Sequence, residues 1–233
     1  MSLENPITWL VCFPIVAYLI GSTPFGTIIA RFKGVDLRKA GSGNVGATNV
    51  GRVLGAKWGY LCFALDVGKG LLPVLLAGWL LRNQESFPTL IHQAIWLATG
   101  FGAIAGHVLS FWLRFRGGKG VATALGVVVG IYPYFTWPGL CALGLWIVVT
   151  LASRYVSLGS IVAAVAFVPL LVAFRFWQVL QLWPLGLFAL AVCVLIIFRH
   201  RSNISRLIKG TENKIRSKGT GDQGSGIRDD ASE

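Results

Sequence analysis

The residues best suited to chemistry lie in a polar run, residues 35–52, between two apolar segments. Glycines alternate there with hydrogen-bonding side chains in the stretch Gly41-Ser-Gly-Asn-Val-Gly-Ala-Thr-Asn49. Because glycine lets backbone N–H groups approach an oxyanion closely, such a loop is typical of phosphate-binding sites. We therefore interpret Gly41 to Arg52 as part of a site that handles phosphate groups.

The same stretch matches the G-x-G-x-x-G fingerprint of dinucleotide-binding folds, with Asp66 about twenty residues downstream. That fingerprint must follow a buried strand and open a helix. Here an apolar segment long enough to span a membrane precedes it, and Asp66 lies inside another such segment. The context argues against a nucleotide site and leaves a plain interhelical loop as the structural alternative.

Three further polar segments carry residue types that bind anions, namely residues 117–120, 153–157 and 200–212. Cationic donors come from Lys119 and Arg52, and His200 could exchange a proton near neutral pH. Neutral donors come from Ser42, Thr48, Asn49, Ser157 and Asn203. A lone cation on such a loop more often only sets the orientation of the protein in the membrane. Residue type alone therefore does not assign these cations to a binding site.

Several reaction classes lack their signatures in this chain. It contains no G-x-S-x-G elbow, no H-E-x-x-H and no complete Walker loop, since Gly120 follows Lys119. The acidic residues Asp36, Asp66 and Glu212 are far apart in sequence, so we expect no metal site and no cofactor. Covalent catalysis by a serine also has no local support.

The composition is that of an integral membrane protein. Hydrophobic residues make up 55% of the 233 residues, charged residues only 13%, and the mean hydropathy is +0.68. Only helices satisfy every backbone polar group in lipid without closing into a barrel. We therefore predict an all-α, polytopic membrane helix bundle.

The net charge of +12 is explained by the orientation of the chain in the membrane. Of the 21 Lys and Arg residues, 18 lie in 31–57, 112–119, at Arg154 or from Arg199 onward; Lys69 is within a helix, and only two are in the alternate loops. This 18 to 2 split places the N-terminus outside and the C-terminus in the cytoplasm, with all four polar segments on the cytoplasmic face. It also argues against nucleic-acid binding.

Seven transmembrane helices fit this sidedness, with five as the alternative if residues 119–152 cross differently. The expected helices are about 7–31 with an interruption at Pro24, 54–81, 89–112, a short helix within 119–132, 137–152, 158–174 and 180–198. Residues 199–212 should form a short amphipathic surface element. We predict one catalytic domain, 1–212, and a polar disordered tail, 213–233.

Asp66 and Lys69 are separated by one helical turn inside the second predicted helix. Each would cost roughly 2.5–3.5 kcal/mol near the middle of a membrane unless it is paired or faces a wet interior. A structural ion pair and a role in supporting the site are both open.

Several motifs together resemble one family. They are Gly21-Ser-Thr-Pro-Phe-Gly26, Gly41 to Asn49, Asp66-Val-Gly-Lys-Gly70, Gly106-His107, Gly117-Gly-Lys-Gly-Val-Ala-Thr123, Arg154-Tyr-Val-Ser157 and His200-Arg-Ser-Asn-Ile-Ser-Arg206. In order and spacing they resemble the bacterial acyl-phosphate:glycerol-3-phosphate acyltransferases, the PlsY family. The chain departs from the usual pattern at Ser110 and Trp112, which affects where the preceding helix ends.

The resemblance implies transfer of a fatty acyl group from acyl phosphate to the 1-hydroxyl of sn-glycerol 3-phosphate. It implies Ser42, Lys119 and His200 as catalytic residues. It implies as substrate-binding residues Gly41, Gly43, Asn44, Thr48, Asn49, Arg52, Gly118, Ser157 and Asn203. Either His200 or a substrate phosphate would act as the base.

The implied location is the bacterial plasma (inner) membrane, with the active site on the cytoplasmic side. The implied partners are acyl phosphate, glycerol 3-phosphate and membrane lipid. Oligomeric state is not implied, and a monomer is compatible with the scheme. Arg38 and Lys39 are expected to touch anionic lipid headgroups. The rival class is a transporter or channel for phosphorylated anions, which would need polar groups near mid-membrane and access from both sides.

Overall fold

The computed structural model describes residues 12–83, 89–181 and 183–215. All regular secondary structure in those ranges is helical, which confirms the all-α prediction there. The helices are α1 Phe13–Ser22, α2 Phe25–Phe32, α3 Ala47–Leu54, α4 Ala56–Arg82, α5 Leu90–Val108, α6 Val121–Gly130, α7 Thr136–Ser153, α8 Val156–Gln181, α9 Trp183–Arg199 and α10 Arg201–Ile208. A 3-10 turn, Phe111–Leu113, follows α5.

The described chain contains five helical segments long and apolar enough to cross a bilayer. They are Phe13–Phe32, Ala56–Arg82, Leu90–Leu113, Thr136–Ser153 and Val156–Phe174. A sixth is added if α9 and α10, bent by 56° at their junction, count as one. Helix α6 is apolar but has only 10 residues, about half the ~30 Å hydrocarbon core. A multi-pass membrane bundle is confirmed, whereas seven spans and the sidedness stay predictions.

Glycines bring the helices of the bundle into close contact. On α5, a Cβ at Gly106 would collide with the carbonyl of Tyr18 on α1. On α6, a Cβ at Gly126 would collide with the carbonyl of Val67 on α4. Small residues at such crossings let helix backbones approach in lipid, where helix association depends on packing. These two contacts hold α5 against α1 and α6 against α4.

The predicted break in the first helix is confirmed, since α1 and α2 are separated at Thr23 and Pro24. Two other expectations are wrong. The glycine-rich run is not a loop as far as Arg52, because α3 starts at Ala47 and ends before Gly55, whose φ of 95° separates it from α4. Helix α8 does not stop near residue 174, because no glycine or proline interrupts the sequence from Arg175 to Gln181.

Residues just beyond the predicted domain boundary at 212 contact the helix bundle. The backbone N–H of Ile215 donates to the carbonyl of Arg154, 2.9 Å away, so residues 213–215 still contact the α7–α8 junction. Residues 216–233 of the predicted disordered tail, 213–233, lie outside the described residues. Helix α10 confirms the short amphipathic element that the tail sequence indicated.

Candidate active site

A cavity of about 320 Å³ lies where the glycine-rich loop, the turn after α5 and helix α10 meet. This volume is in the range of small-molecule sites. Its walls come from segments far apart in sequence. The lining residues are Arg38, Ser42, Gly43, Asn44, Val45, Phe115, Arg116, Gly117, Lys119, Arg199, Ser202, Asn203 and Arg206.

The cavity is strongly basic. Five cations line it and, among the lining residues that the structure describes, no carboxylate does. The cations are Arg38, Arg116, Lys119, Arg199 and Arg206. Guanidinium groups bind phosphate oxygens in a fixed fork, while an ammonium acts as a compact charge. The arrangement therefore suits a ligand that carries more than one negative charge.

Asn49 shapes the glycine-rich loop from within. Its side-chain amide is only 1% exposed, and its Nδ2 donates to the carbonyls of Leu37, Ala40 and Asn44 at 3.3, 3.1 and 2.8 Å. Its Oδ1 accepts from the backbone N–H of Ser42 at 2.8 Å. The hydrogen bonds of Asn49 therefore hold the loop together, and its expected role in binding substrate stays a prediction.

The same bonds change what the loop can offer a substrate. The backbone N–H of Ser42 is used by Asn49, and that of Gly43 donates to Ala40 at 3.1 Å. In this conformation both amides already donate to groups within the loop. Ser42 and Asn44 both line the cavity, and Asn44 Oδ1 accepts from the backbone N–H of Gly46 at 2.9 Å.

The turn of residues 117–119 is held from two sides. From α5, the carbonyls of Val108 and His107 accept the N–H groups of Gly117 and Gly118 at 3.0 and 3.1 Å. From α9, Arg199 Nη2 donates to the carbonyls of Gly117 and Gly118 at 2.9 and 3.1 Å. Gly118 is buried and lies outside the cavity lining, and its contact with substrate stays a prediction.

Lys119 follows this turn and lines the cavity. The pKa of its ammonium is lowered from 10.5 to about 8, chiefly by burial and also by Arg206, Arg52 and Arg199, against the opposing charge of Glu212. The side chain is therefore mostly charged at pH 7, but only by a margin of about one pH unit. A bound phosphate would favour the charged form.

Glu212 joins the residues at the other side of the cavity. Its Oε1 accepts hydrogen bonds from Ser157 Oγ at 2.9 Å and Asn203 Nδ2 at 2.6 Å, and its Oε2 accepts from Arg206 Nε at 2.7 Å. Burial alone would raise the pKa of this carboxyl, but the bonds from Asn203, Arg206 and Ser157 hold it below its usual value. The carboxylate thus fixes the orientation of three side chains.

Two atoms next to this carboxylate are available as acceptors. Asn203 Oδ1 is buried and makes no hydrogen bond to any described residue. His200, which is 2% exposed, contacts the carbonyl of Ile196 through Nδ1 at 2.8 Å. A carbonyl only accepts, so Nδ1 carries the proton and Nε2 of the neutral ring carries a lone pair. Both residues suit a hydroxyl donor.

Known proteins are similar to this chain over most of its length. The sequence profile described as glycerol-3-phosphate acyltransferase matches residues 11–210. The chain belongs to this family. The glycerol-3-phosphate acyltransferase of Acholeplasma laidlawii is 41% identical over 232 residues, covering 91% of this chain and 95% of the relative. That of Aquifex aeolicus is 45% identical over 203 residues, covering 86% and 96%.

Solved structures agree with the family assignment. A crystal structure of PlsY (YgiH), an integral membrane glycerol 3-phosphate acyltransferase in its glycerol 3-phosphate form, is 40% identical with a TM-score of 0.74. The match covers 91% of this chain and 96% of the PlsY chain. The lysophosphatidic acid form is 39% identical with a TM-score of 0.72 and the same coverage.

In this acyltransferase the structure brings together only part of the predicted site. Ser42, Gly43, Asn44, Lys119 and Asn203 line the cavity. Ser157 and His200 lie beside it. Ser157 bonds Glu212, and His200 stands at the junction of α9 and α10. The predicted residues outside its lining are Gly41, Thr48, Asn49, Arg52 and Gly118.

Arg52 nevertheless remains near the acyltransferase cavity. It lies in the last turn of α3, is exposed, and is close enough to Lys119 to lower the pKa of that ammonium. A position at the mouth, where an entering anion would pass, fits both observations. Thr48 is exposed on the same short helix.

Sequence reasoning missed four cavity cations and one carboxylate. Arg38 was expected to touch lipid headgroups, but it lines the cavity and donates from Nη2 to the carbonyl of Arg116 at 3.0 Å. Arg116 and Arg199 were counted only as topology charges. Arg206 and Glu212 both lie in the polar segment 200–212. Their opposite charges within this basic segment were the one sequence signal of their pairing.

Proposed function

We propose that this glycerol-3-phosphate acyltransferase takes its acyl group from an acyl phosphate. The acceptor is the 1-hydroxyl of sn-glycerol 3-phosphate, and the products are lysophosphatidic acid and inorganic phosphate. This reaction would be the first step of phospholipid synthesis. The observation that carries the proposal is the cavity lined by five cations and, in its described lining, no carboxylate.

The charge of the cavity supports a phosphorylated donor. Glycerol 3-phosphate brings one phosphate, and an acyl phosphate brings a second next to the reacting carbonyl. Two such groups in one enclosed site repel each other unless several cations are fixed around them. The spread of arginines over both walls of the cavity meets that requirement.

The weak nucleophiles of the site also support an activated donor. An acyl phosphate is a mixed anhydride, so the enzyme must position the reactants and stabilise charge more than it must create a nucleophile. The hydroxyl oxygen attacks the carbonyl carbon, the bond from that carbon to the phosphate oxygen breaks, and the released phosphate can take up the hydroxyl proton. No acyl-enzyme is needed in this sequence of events.

The side chains have separate roles in the proposal. Lys119 contacts the phosphates of both substrates, and the Ser42 hydroxyl donates to the acyl-phosphate head. Arg52 binds glycerol 3-phosphate at the mouth, and Asn203 Oδ1 accepts from one of its hydroxyls. His200 Nε2 accepts from the attacking hydroxyl and orients it, with the substrate phosphate as the alternative base.

The basic loops support a location in the bacterial plasma membrane with the cavity on the cytoplasmic side. The acyl chain would then enter from the lipid, while glycerol 3-phosphate and the leaving phosphate would exchange with the cytoplasm. Both substrates can reach the same cavity by different routes in this arrangement.

Purified protein in detergent or bilayers tests the proposal. We expect palmitoyl phosphate and glycerol 3-phosphate to yield lysophosphatidic acid and inorganic phosphate in equal amounts. Palmitoyl-CoA at the same concentration is the matched donor control. Product from the thioester but not from the acyl phosphate would refute the proposed donor, and product from neither would refute the transfer reaction for this chain.

A further inference from the structure

A cluster of buried polar residues lies next to the cavity, inside the bundle. It consists of Asp66 and Lys69 on α4, His107 on α5 and Thr123 on α6, exposed by 3, 5, 8 and 0%. None of the four contributes to the cavity lining. We refer to these four residues as the buried polar cluster.

The members of the buried polar cluster contact one another in a chain. Lys69 Nζ lies 2.9 Å from Asp66 Oδ1, and His107 Nδ1 lies 3.6 Å from the same oxygen. Thr123 Oγ1 lies 3.0 Å from His107 Nδ1. The Nδ1 edge of the His107 imidazole therefore faces the Asp66 carboxylate of α4 and bonds the Thr123 hydroxyl of α6.

The other edge of that ring meets the turn that carries Lys119. A Cβ placed on Gly118 would collide with His107 Nε2, so ring and turn backbone are in direct contact. The carbonyl of His107 also accepts the N–H of Gly118 at 3.1 Å. Gly118 immediately precedes Lys119, so the position of the ring bears on the position of the ammonium.

Stability alone explains this cluster poorly. Burying an ion pair costs desolvation of both charges, and apolar residues of similar volume often replace such pairs without loss of stability. Ionisable residues inside a membrane protein are therefore retained mainly where function needs them. The contact of His107 with Gly118 supplies a function that an apolar packing layer would not.

We propose that the buried polar cluster positions the Gly117–Lys119 turn for catalysis, with His107 as the positioning residue that transmits the placement of Asp66 and Thr123. This role rests on the proposed function, because it assumes that Lys119 acts on substrate phosphate. The cluster holds the turn from the membrane side, while Arg199 holds its carbonyls from α9.

A double-mutant cycle tests the coupling. His107→Phe keeps the ring volume but removes both nitrogens, and we expect it to lower kcat about 10-fold with a smaller effect on KM. In that background, Lys119→Ala should cost at least about 5-fold less activity than it costs in the wild type. Additive losses would overturn the proposal.

Two further variants complete the cycle. Thr123→Val removes only the hydroxyl that meets His107 and should show the same coupling to Lys119 in weaker form, even if His107→Phe folds poorly. Thr99→Val is the matched control, because its buried hydroxyl lies on α5 about two turns from His107 and bonds only its own helix, at the carbonyl of Ile95. Its effect should combine additively with Lys119→Ala.

Hydrogen exchange separates this inference from the proposed function. The N–H groups of Gly117 and Gly118 are bonded to α5, so peptides covering them should exchange at least about 10-fold faster in His107→Phe and at the wild-type rate in Thr99→Val. This measurement needs no activity. Unchanged exchange in His107→Phe overturns the positioning role, whereas a wild-type protein without acyl transfer overturns only the proposed function.

Discussion

Asn203 Nδ2 donates to the carboxylate of Glu212 at 2.6 Å, and this bond ties α10 to the segment that follows it. The same carboxylate oxygen holds Ser157 on α8, 55 residues away in sequence. One acidic group thus sets the geometry of three side chains, Asn203, Ser157 and Arg206, beside a cavity whose charged residues, in its described lining, are all basic. Its charge is used for orientation, and its removal should affect binding geometry before anything else.

Glu212→Ala should lower kcat/KM for glycerol 3-phosphate by about 10-fold or more, because Asn203, Ser157 and Arg206 lose their common acceptor. Hydrogen bonds to charged groups contribute roughly 1.5–3 kcal/mol each, so the melting temperature in detergent should fall as well. Steady-state kinetics and thermal melts check both effects. Glu212→Gln retains one acceptor and should lie between; an alanine variant with wild-type kinetics would contradict this.

Lys119→Ala should reduce the rate of phosphate release by at least about 10²-fold, since it removes a positioned cation from a partly buried site. Lys39→Ala is a suitable control, because it removes an equal charge from an exposed position outside the cavity lining. A near-normal rate for Lys119→Ala would remove this residue from the site.

The pH profile should reflect the lowered pKa of Lys119, about 8. The ammonium is the form that binds phosphate; it predominates below that pH and is lost above it. We therefore expect kcat/KM to fall as pH rises through about 8, whereas an unshifted lysine would hold its charge to about pH 10. Lys119→Arg stays charged, so its residual activity should not decline near pH 8. A flat wild-type profile up to pH 10 would contradict the assignment.

Gly41→Ala should disturb the glycine-rich loop, because its φ is +60° and a Cβ there would collide with Asn49 Oδ1. Gly34→Ala is the matched control, with a φ of +70° but nothing within 4 Å of the added Cβ. Both changes carry the backbone cost of roughly 1–2 kcal/mol for a left-handed residue. We expect only Gly41→Ala to lower activity, by about 10-fold or more; equal losses would show that backbone strain alone matters.

Activity should not depend on an added divalent metal. The described residues contain no group of three or more His, Cys, Asp or Glu side chains that could hold one. Rates measured with and without a chelator, after dialysis of both substrates, check this. A strict requirement for an added divalent ion would contradict this expectation.

The membrane bundle and its helix breaks were predictable because hydropathy and proline act locally. The break at Pro24 and the short α6 both follow from the sequence alone. Helix α3 was not predicted, because its start depends on a loop folded around the buried amide of Asn49, which no local pattern reports.

Site residues that belong to a sequence motif could be predicted. Residues that reach the site only through the packing of the helices could not. Ser42, Lys119 and Asn203 stand in recognisable motifs and do line the cavity. Arg199 ends a long apolar helix, where a cation reads as a topology charge, and its contact with the turn crosses 82 residues of sequence. Such long-range contacts depend on how the helices pack, which residue spacing does not encode.

The interruption between α1 and α2 makes two distant parts of the chain dependent on each other. Pro24 has no N–H, and the neighbouring carbonyl of Thr23 accepts a hydrogen bond from Lys69 Nζ on α4 at 2.9 Å. A chimera that exchanges α1 and α2 between two family members would therefore also have to exchange α4. In evolution, the proline and the lysine should be inherited as a unit.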